Sequence, residues 1–308
     1  MIVLVLVLAL FVAFLLAGFT VGHKLSSRVV KPRRFNYAQG VEHERTYFRW
    51  TEGEFDALEK EPFTLRSFDG TRLSCLWLPA REKSVKAVVV AHGHGCCAVN
   101  SYKYAKPFLE RGYNALLFDF RNSGGSGGSV TTLGCKEKYD LSAAVDEAFR
   151  RLGENAVIGT HGESMGAATV LLDACMDKRL SFAVADCPFS DMRVQIAYNL
   201  KRNFSLPRFP FLAFGAFSYF MRTGCRMKNV SPLSSLRERD GLPDLPILFI
   251  HGTEDAYILP TASKALYAAK AGKKQIWLCE GAKHARSIAA DPEGYGARIG
   301  AFLEENGL

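Results

Sequence analysis

Apolar residues follow two rhythms along this chain: short continuous runs, and longer stretches where they recur every third or fourth position. Pro62 to Phe68 and Leu73 to Leu78 read as two strands joined at Asp69-Gly70, a dipeptide suited to the positive φ values of a tight hairpin. Ala87-Val88-Val89-Val90-Ala91 is dominated by a β-branched residue, the mark of a strand covered on both faces. Tyr113 to Phe120, Asn155 to Gly159, Phe182 to Cys187, Leu245 to Ile250 and Lys274 to Cys279 read the same way. Between these runs the spacing turns helical. Residues 102–110 form one such stretch. Leu141, Val145, Ala148, Phe149 and Leu152 repeat at three and four, which predicts an amphipathic helix over 139–152. Further helices are expected over 260–271 and 292–305. A hairpin followed by alternating strands and helices predicts an α/β chain with a mostly parallel, doubly wound sheet.

Two stretches break the rhythm. Residues 191–240 show no sheet character. Their apolar segment Phe209-Pro210-Phe211-Leu212-Ala213-Phe214 is surrounded by Lys201, Arg202, Arg208, Arg222, Arg226 and Lys228. An excursion of this size predicts a lid or cap on the main domain. The other break is the segment from Met1 to Gly22, which carries no charged side chain. About 20 such residues, at 1.5 Å each, span roughly 30 Å of hydrocarbon. Nothing basic precedes the run, and it is longer than the apolar part of a secretory signal. It predicts an uncleaved single-pass transmembrane helix. The flanking cations Lys24, Arg28, Lys31, Arg33 and Arg34 follow it, so the positive-inside rule puts the rest of the chain in the cytoplasm. The domains are then an anchor at 1–22, a polar, aromatic-dotted connector at 23–60, and a globular unit at 61–308 with its cap at 191–240.

Composition narrows the function classes. A chain of 308 residues, 48% hydrophobic with 22 Phe and 11 Tyr, supports a sizeable core and excludes a disordered protein. The net charge of +8 is moderate. No basic stripe lies on a known nucleic-acid module, so the specific reading is a basic face toward anionic lipid. The 8 cysteines include no Cys-x-x-Cys pair, which argues against a structural zinc. Several lie within strand or helix patterns, where a free thiol acts as a small hydrophobe. That usage fits a reducing compartment.

The chemistry centres on Gly162-Glu163-Ser164-Met165-Gly166. This stretch follows a buried strand and precedes the apolar Ala167-Ala168-Thr169-Val170-Leu171-Leu172, which reads as a buried helix. Gly-x-Ser-x-Gly at a strand-to-helix corner is what a nucleophile elbow requires: a strained turn that projects the serine hydroxyl beyond the sheet edge. The glycines remove the Cβ atoms that would block the helix from the strand.

With His92-Gly93, Asp186-Cys187-Pro188-Phe189-Ser190, His251-Gly252-Thr253-Glu254-Asp255 and Lys283-His284, the elbow completes a pattern. The chain resembles a serine hydrolase of the α/β-hydrolase superfamily over about residues 61 to 306. Within it the chain is similar to bacterial membrane-anchored members near the cephalosporin-esterase and dienelactone-hydrolase-like group. The order Ser, acid, His is that superfamily's order.

Of the 7 histidines, His23 and His43 precede the domain, His92 and His94 precede the nucleophile, and His161 lies in the elbow strand. His251 ends a strand where the resemblance has a structural His-Gly. His284, in a loop after the last strand, is the general base that remains. The resemblance puts the acid at Asp255, with Glu254 as local rival and Asp191 as a rarer alternative. Asp119 and Asp186 read as loop anchors. The oxyanion hole needs two backbone N–H groups, expected from Met165 and from His94 in the His92-Gly93-His94-Gly95 loop. Cys96-Cys97 departs from the small polar residues usual there. The run Arg121 to Gly128 is glycine-rich but lacks the Gly-Lys-Ser/Thr ending of a phosphate loop. No metal constellation is visible and no cofactor is required.

The expected activity is carboxylic ester hydrolysis through an acyl-enzyme, on a small-molecule or lipid-like acyl ester. The same catalytic triad also suits an acyltransferase, thioesterase or peptidase, and a binding protein with an idle hydrolase fold is the alternative from another class.

Overall fold

The structure is a computed structural model and describes residues 1–48 and 53–308. Among them one 8-stranded sheet is built from β1 (Glu61–Arg66), β2 (Arg72–Leu78), β3 (Lys86–Ala91), β4 (Asn114–Phe118), β5 (Val157–Glu163), β6 (Phe182–Asp186), β7 (Ile247–Gly252) and β8 (Lys274–Cys279). The strand order is β1-β2-β4-β3-β5-β6-β7-β8. β1 and β2 form the hairpin around Asp69-Gly70, and β2 runs antiparallel to β4. Every other pairing is parallel. This is the mostly parallel, doubly wound sheet the alternating pattern implied, and the α/β-hydrolase arrangement implied by the resemblance.

Helices α1 (Ile2–Val30) and α2 (Tyr37–Phe48) precede the sheet. Then come α3 (Tyr102–Leu109), α4 (Glu137–Leu152) and α5 (Met165–Ala174). Three helices lie between β6 and β7: α6 (Met192–Phe204), α7 (Arg208–Thr223) and α8 (Pro232–Glu238). α9 (Thr261–Ala269), α10 (Ser287–Ala290) and α11 (Pro292–Glu305) complete the order.

The strand β3 shows why the sheet needs both layers. Successive side chains of a strand point to opposite faces. Ala87, Val89 and Ala91 enter one core with residues of α4, α5 and α9. Val88 and Val90 enter the other with residues of α3 and α11. A fully buried valine contributes roughly 1.5–3 kcal/mol, so a polar residue on either face of β3 is costly.

A third apolar cluster joins α6 and α7 to the main domain through Ala168, Leu172 and Phe189, and it includes Val30 of α1. The excursion at 191–240 therefore divides. α6 and α7 build the outlying layer, whereas α8 returns to the main core through Leu236.

Three local features depart from the expected bounds. α1 does not stop at Gly22; it continues unbroken to Val30, and α2 lies within the stretch read as connector. β5 runs on past Gly159 to Glu163. His161, buried in that extension, pairs its Nε2 with the Tyr295 hydroxyl at 2.8 Å, while its Nδ1 is buried without a hydrogen-bond partner among the described residues. Hydropathy alone ends the strand early, because a paired buried polar residue looks like a loop residue.

Candidate active site

In this sheet, the connections leaving β3 and β5 run in opposite directions, and these two strands are neighbours. Ligand sites of open α/β sheets form outside the carboxyl ends of strands at such a switch point. Ala91 pairs with Gly162 there, so the His92–Gly95 loop and Ser164 emerge side by side.

Ser164 sits between β5 and α5 with φ 56° and ψ −111°, outside the regions a serine prefers. The surroundings hold it there. Its N–H donates to the Asp186 carbonyl at 2.8 Å, and its carbonyl accepts from the Ala168 N–H at 3.1 Å. A Cβ on Gly162 would strike the Gly166 backbone, and one on Gly166 would strike the Ala91 carbonyl. Both glycines are therefore required by close approach rather than by flexibility.

The Ser164 Oγ lies 2.9 Å from His284 Nε2, and His284 Nδ1 lies 2.7 Å from Asp255 Oδ2. Asp255 is 2% exposed. Its Oδ1 accepts from the Tyr257 and Ile258 amides at 2.8 and 2.9 Å. His251 Nε2 approaches its Oδ2 at 3.2 Å. Burial works to raise the Asp255 pKa. Hydrogen bonds with His251, His284 and the Ile258 amide outweigh it and hold the carboxyl well below the usual range. The Tyr257 ring lies against His284, tilted by 55° with ring centroids 4.9 Å apart.

The rival acids lie elsewhere. Glu254 is exposed, and Asp191 caps α6 by accepting from the Arg193 and Val194 amides. Asp119 pins loops, accepting from Ala98 N at 2.6 Å and Gly125 N at 2.8 Å. Asp186 lies behind the elbow, where burial and the Glu163 carboxylate push its pKa up to about 7 against the pull of His251 and Tyr295.

His94 and Met165 line the same cavity as Ser164. The His94 ring does not reach the serine; its Nε2 meets the Val29 carbonyl at 2.8 Å. His92 is buried, with Nδ1 2.7 Å from the Gly93 carbonyl and Nε2 accepting from Phe120 N at 3.1 Å. That pairing requires one neutral tautomer, and burial moves the His92 pKa down to about 4. Burial also pushes the Cys97 thiol up to about 12 and Cys96 further, which removes them as nucleophiles near neutral pH.

One group among the described residues has ligand atoms close enough for a metal: Cys187, Asp255 and His284, all within 4.8 Å of one another. Burial and the Asp186 and Glu163 carboxylates keep the Cys187 thiol protonated. A metal here would also have to displace the proton shared by His284 and Asp255.

The end of α1 is a part of the site that sequence periodicity missed. Besides the His94 contact, the Val30 carbonyl accepts from Thr131 N at 2.9 Å and from Asn122 Nδ2 at 3.3 Å. Phe35 N donates to the Gly95 carbonyl at 2.9 Å. The glycine-rich run from Arg121 thus seats the N-terminal segment. Arg121 itself is fixed between Asp140 and Asp69 at 2.6 and 2.8 Å. The uncharged Val29-Val30 pair gave no sign of this role, since the bonds use backbone carbonyls.

The cavity beside Ser164 has a volume of about 190 Å³. Its walls are mostly apolar: Leu25 and Val29 of α1, Leu200 of α6, and Phe211 and Leu212 of α7.

Comparisons with known proteins agree with this architecture. The family described as X-Pro dipeptidyl-peptidase (S15 family) matches residues 69–220. The uncharacterized protein YqkD of Bacillus subtilis (strain 168) is 35% identical over 253 residues, 81% of each chain. The quorum-quenching protein AidA of Acinetobacter baumannii (strain MDR-ZJ06) is 30% identical over 132 residues, 40% of this chain and 43% of that one. Among solved structures, the Pyrococcus furiosus esterase Pf2001 superposes with a TM-score of 0.64 at 27% identity, covering 83% of this chain and 96% of the esterase.

Proposed function

This chain belongs to the α/β-hydrolase superfamily of serine hydrolases, in the family of Bacillus subtilis YqkD, and we propose that it cleaves carboxylic esters through an acyl-enzyme with Ser164, His284 and Asp255 as its triad. His284 Nε2 takes the Ser164 proton while Oγ attacks the acyl carbonyl. The backbone amides of Met165 and His94 hold the oxyanion, each worth roughly 3–4 kcal/mol in comparable sites. The imidazolium returns its proton to the departing alkoxide, and the alcohol leaves. Water then gives a proton to His284 and attacks the acyl carbon. The acid departs and Ser164 regains its proton. Asp255 keeps the His284 proton on Nδ1 throughout.

The observation that carries this reading is the relay at 2.9 and 2.7 Å from Ser164 through His284 to Asp255. The substrate class rests on the apolar cavity. Release of dipeptides, the activity in the matching family's description, requires a partner for a free α-ammonium. The described lining contains no carboxylate, which favours an ester with an apolar acyl chain over a peptide.

The N-terminal helix is read as an uncleaved anchor. Its mean hydropathy over the best window is 3.2, and only 6% of that window is buried. Its last turns supply cavity walls and backbone acceptors, so removal with a signal peptide would open the site. The cations that follow the apolar run favour a cytoplasmic catalytic domain.

The test is covalent labelling. Ser164→Ala abolishes labelling by a fluorophosphonate probe on this reading. Persistent labelling at another residue of the variant refutes it.

A further inference from the structure

We infer that α7 enters the bilayer beside α1, so that an acyl ester lipid reaches Ser164 laterally from the leaflet rather than from water. This rests on the ester-hydrolase and anchor readings above. Its support is the way the two helices pack.

The contacts between them advance together. Phe214 meets Phe14 edge-to-face at 5.9 Å, and Phe217 meets Phe19 at 6.3 Å. Ser218 Oγ lies 2.9 Å from Ser26 Oγ, and Arg222 Nη1 donates to Ser26 and Ser27 at 3.0 and 2.8 Å. The helices therefore run parallel and in register. Gly18 and Gly22 permit the close approach, since a Cβ on either would strike Phe214.

The register fixes a depth. The apolar run of α1 ends at Gly22, and its first charged residue, Lys24, follows two positions later. Phe14 lies about 13 Å of helix rise before that boundary, at 1.5 Å per residue. The Phe214 backbone packs on Gly22, at the end of that run, and its ring reaches back to Gly18 and Phe14. The first turn of α7, four residues earlier at Pro210, therefore lies about 6 Å further into the apolar run, at the edge of the hydrocarbon. Arg222 falls at the level of Ser26, back among the cations.

The outward face of α7 has the composition this requires. No charge occurs from Phe209 to Met221. Phe209, Phe217 and Met221 are 80, 53 and 64% exposed, and they continue the exposed apolar surface of α1. In water such a contiguous patch is unfavourable; against lipid it is the expected surface. Arg208 precedes Phe209, whose ψ of 135° breaks the helix at that point. Its long stem allows the guanidinium to reach toward lipid phosphates.

The cavity connects this face to the chemistry. Leu25 and Val29 line it from α1, Phe211 and Leu212 from α7, and Ser164 stands in the same lining. An acyl chain entering along the edge of the packed α1–α7 pair meets apolar side chains until its carbonyl reaches the serine. Arg28, stacked on Phe204 at 4.5 Å, is a lining cation placed to meet an anionic headgroup.

The experiment uses the full chain in vesicles of phosphatidylcholine and phosphatidylglycerol. Phe217→Trp adds an emission, taken as the difference from the parent chain, that lipids brominated on their acyl chains quench. Absence of quenching overturns the insertion. The double variant Phe217→Glu with Met221→Glu lowers hydrolysis of bilayer-borne 4-methylumbelliferyl oleate by about tenfold or more, while hydrolysis of water-soluble 4-methylumbelliferyl butyrate changes by less than about twofold. An equal effect on both esters, or none on the oleate, overturns lateral entry. If the parent chain hydrolyses neither ester, the esterase reading falls, and quenching still decides the insertion.

Discussion

Asp255→Asn isolates the contribution of one proton position. The substitution keeps size and shape, so the question is which way the amide turns. Asp255 Oδ1 accepts two backbone N–H groups, from Tyr257 and Ile258. An amide nitrogen placed there would face two donors and leave both amides unpaired, at a cost of about 1–3 kcal/mol each. The oxygen therefore stays at the δ1 position, and the NH2 group takes the δ2 position, 2.7 Å from His284 Nδ1. Nδ1 must then accept rather than donate. The imidazole proton moves to Nε2, facing Ser164, and the ring has no lone pair for the serine proton. In a serine protease triad the equivalent change lowers kcat by about 10⁴-fold with the geometry intact. That loss corresponds to roughly 5 kcal/mol of barrier at 1.36 kcal/mol per tenfold. The expected outcome is a fall of about 10³ to 10⁴-fold in kcat/KM for a short soluble ester at pH 7. Fluorophosphonate labelling slows in parallel, and the melting temperature shows that the fold survives. A fall below about tenfold in a folded variant refutes the tautomer argument and would move the orienting role to another acid.

Two further outcomes test the scaffold. His92 has a folded pKa of about 4, below its unfolded value of about 6.5. As pH falls through this window the unfolded chain takes up a proton that the folded chain refuses, so stability declines by up to about 3 kcal/mol; denaturant titrations across the window show a flatter decline in His92→Gln. Gly166→Ala forces a Cβ against the Ala91 carbonyl in the centre of the sheet, where backbone cannot yield. It lowers stability by roughly 1–3 kcal/mol, or several degrees in a melting scan, and slows probe labelling of Ser164; an unchanged melt would show that β3 and α5 can separate.

What was legible in the sequence was what local geometry dictates. The β-branched run of β3 can only be a strand covered on both sides, and it is. The elbow glycines record a close approach between β5, α5 and β3 that no other residue permits. Elimination among the histidines points to His284, and the family resemblance to Asp255. In the structure both lie just past the carboxyl ends of parallel strands, within hydrogen-bond reach of one another and, through His284, of Ser164. The support around them was not legible. Tyr257 and Ile258 act through backbone amides, and His251 contributes a ring nitrogen from a position that reads as structural. The β5 extension was hidden by His161, whose Nε2 is paired by a tyrosine far along the chain.

The N-terminal segment shows the same limit and explains its cause. Hydropathy marks where a helix meets water, so it ended the predicted anchor at Gly22. The helix itself ends where its carbonyls lose their partners, and Val29 and Val30 find theirs in His94, Thr131 and Asn122. One of these partners, the His94 ring, sits on the loop expected to supply one oxyanion donor. A tilt of α1 is therefore expected to act on the His94 ring, which the Val29 carbonyl holds at 2.8 Å. An anchor joined by a flexible tether would leave that loop indifferent to the bilayer. This helix is continuous from exposed apolar surface to the wall of the cavity beside Ser164, so on the proposed anchor reading the lipid environment bears directly on the geometry of the reaction.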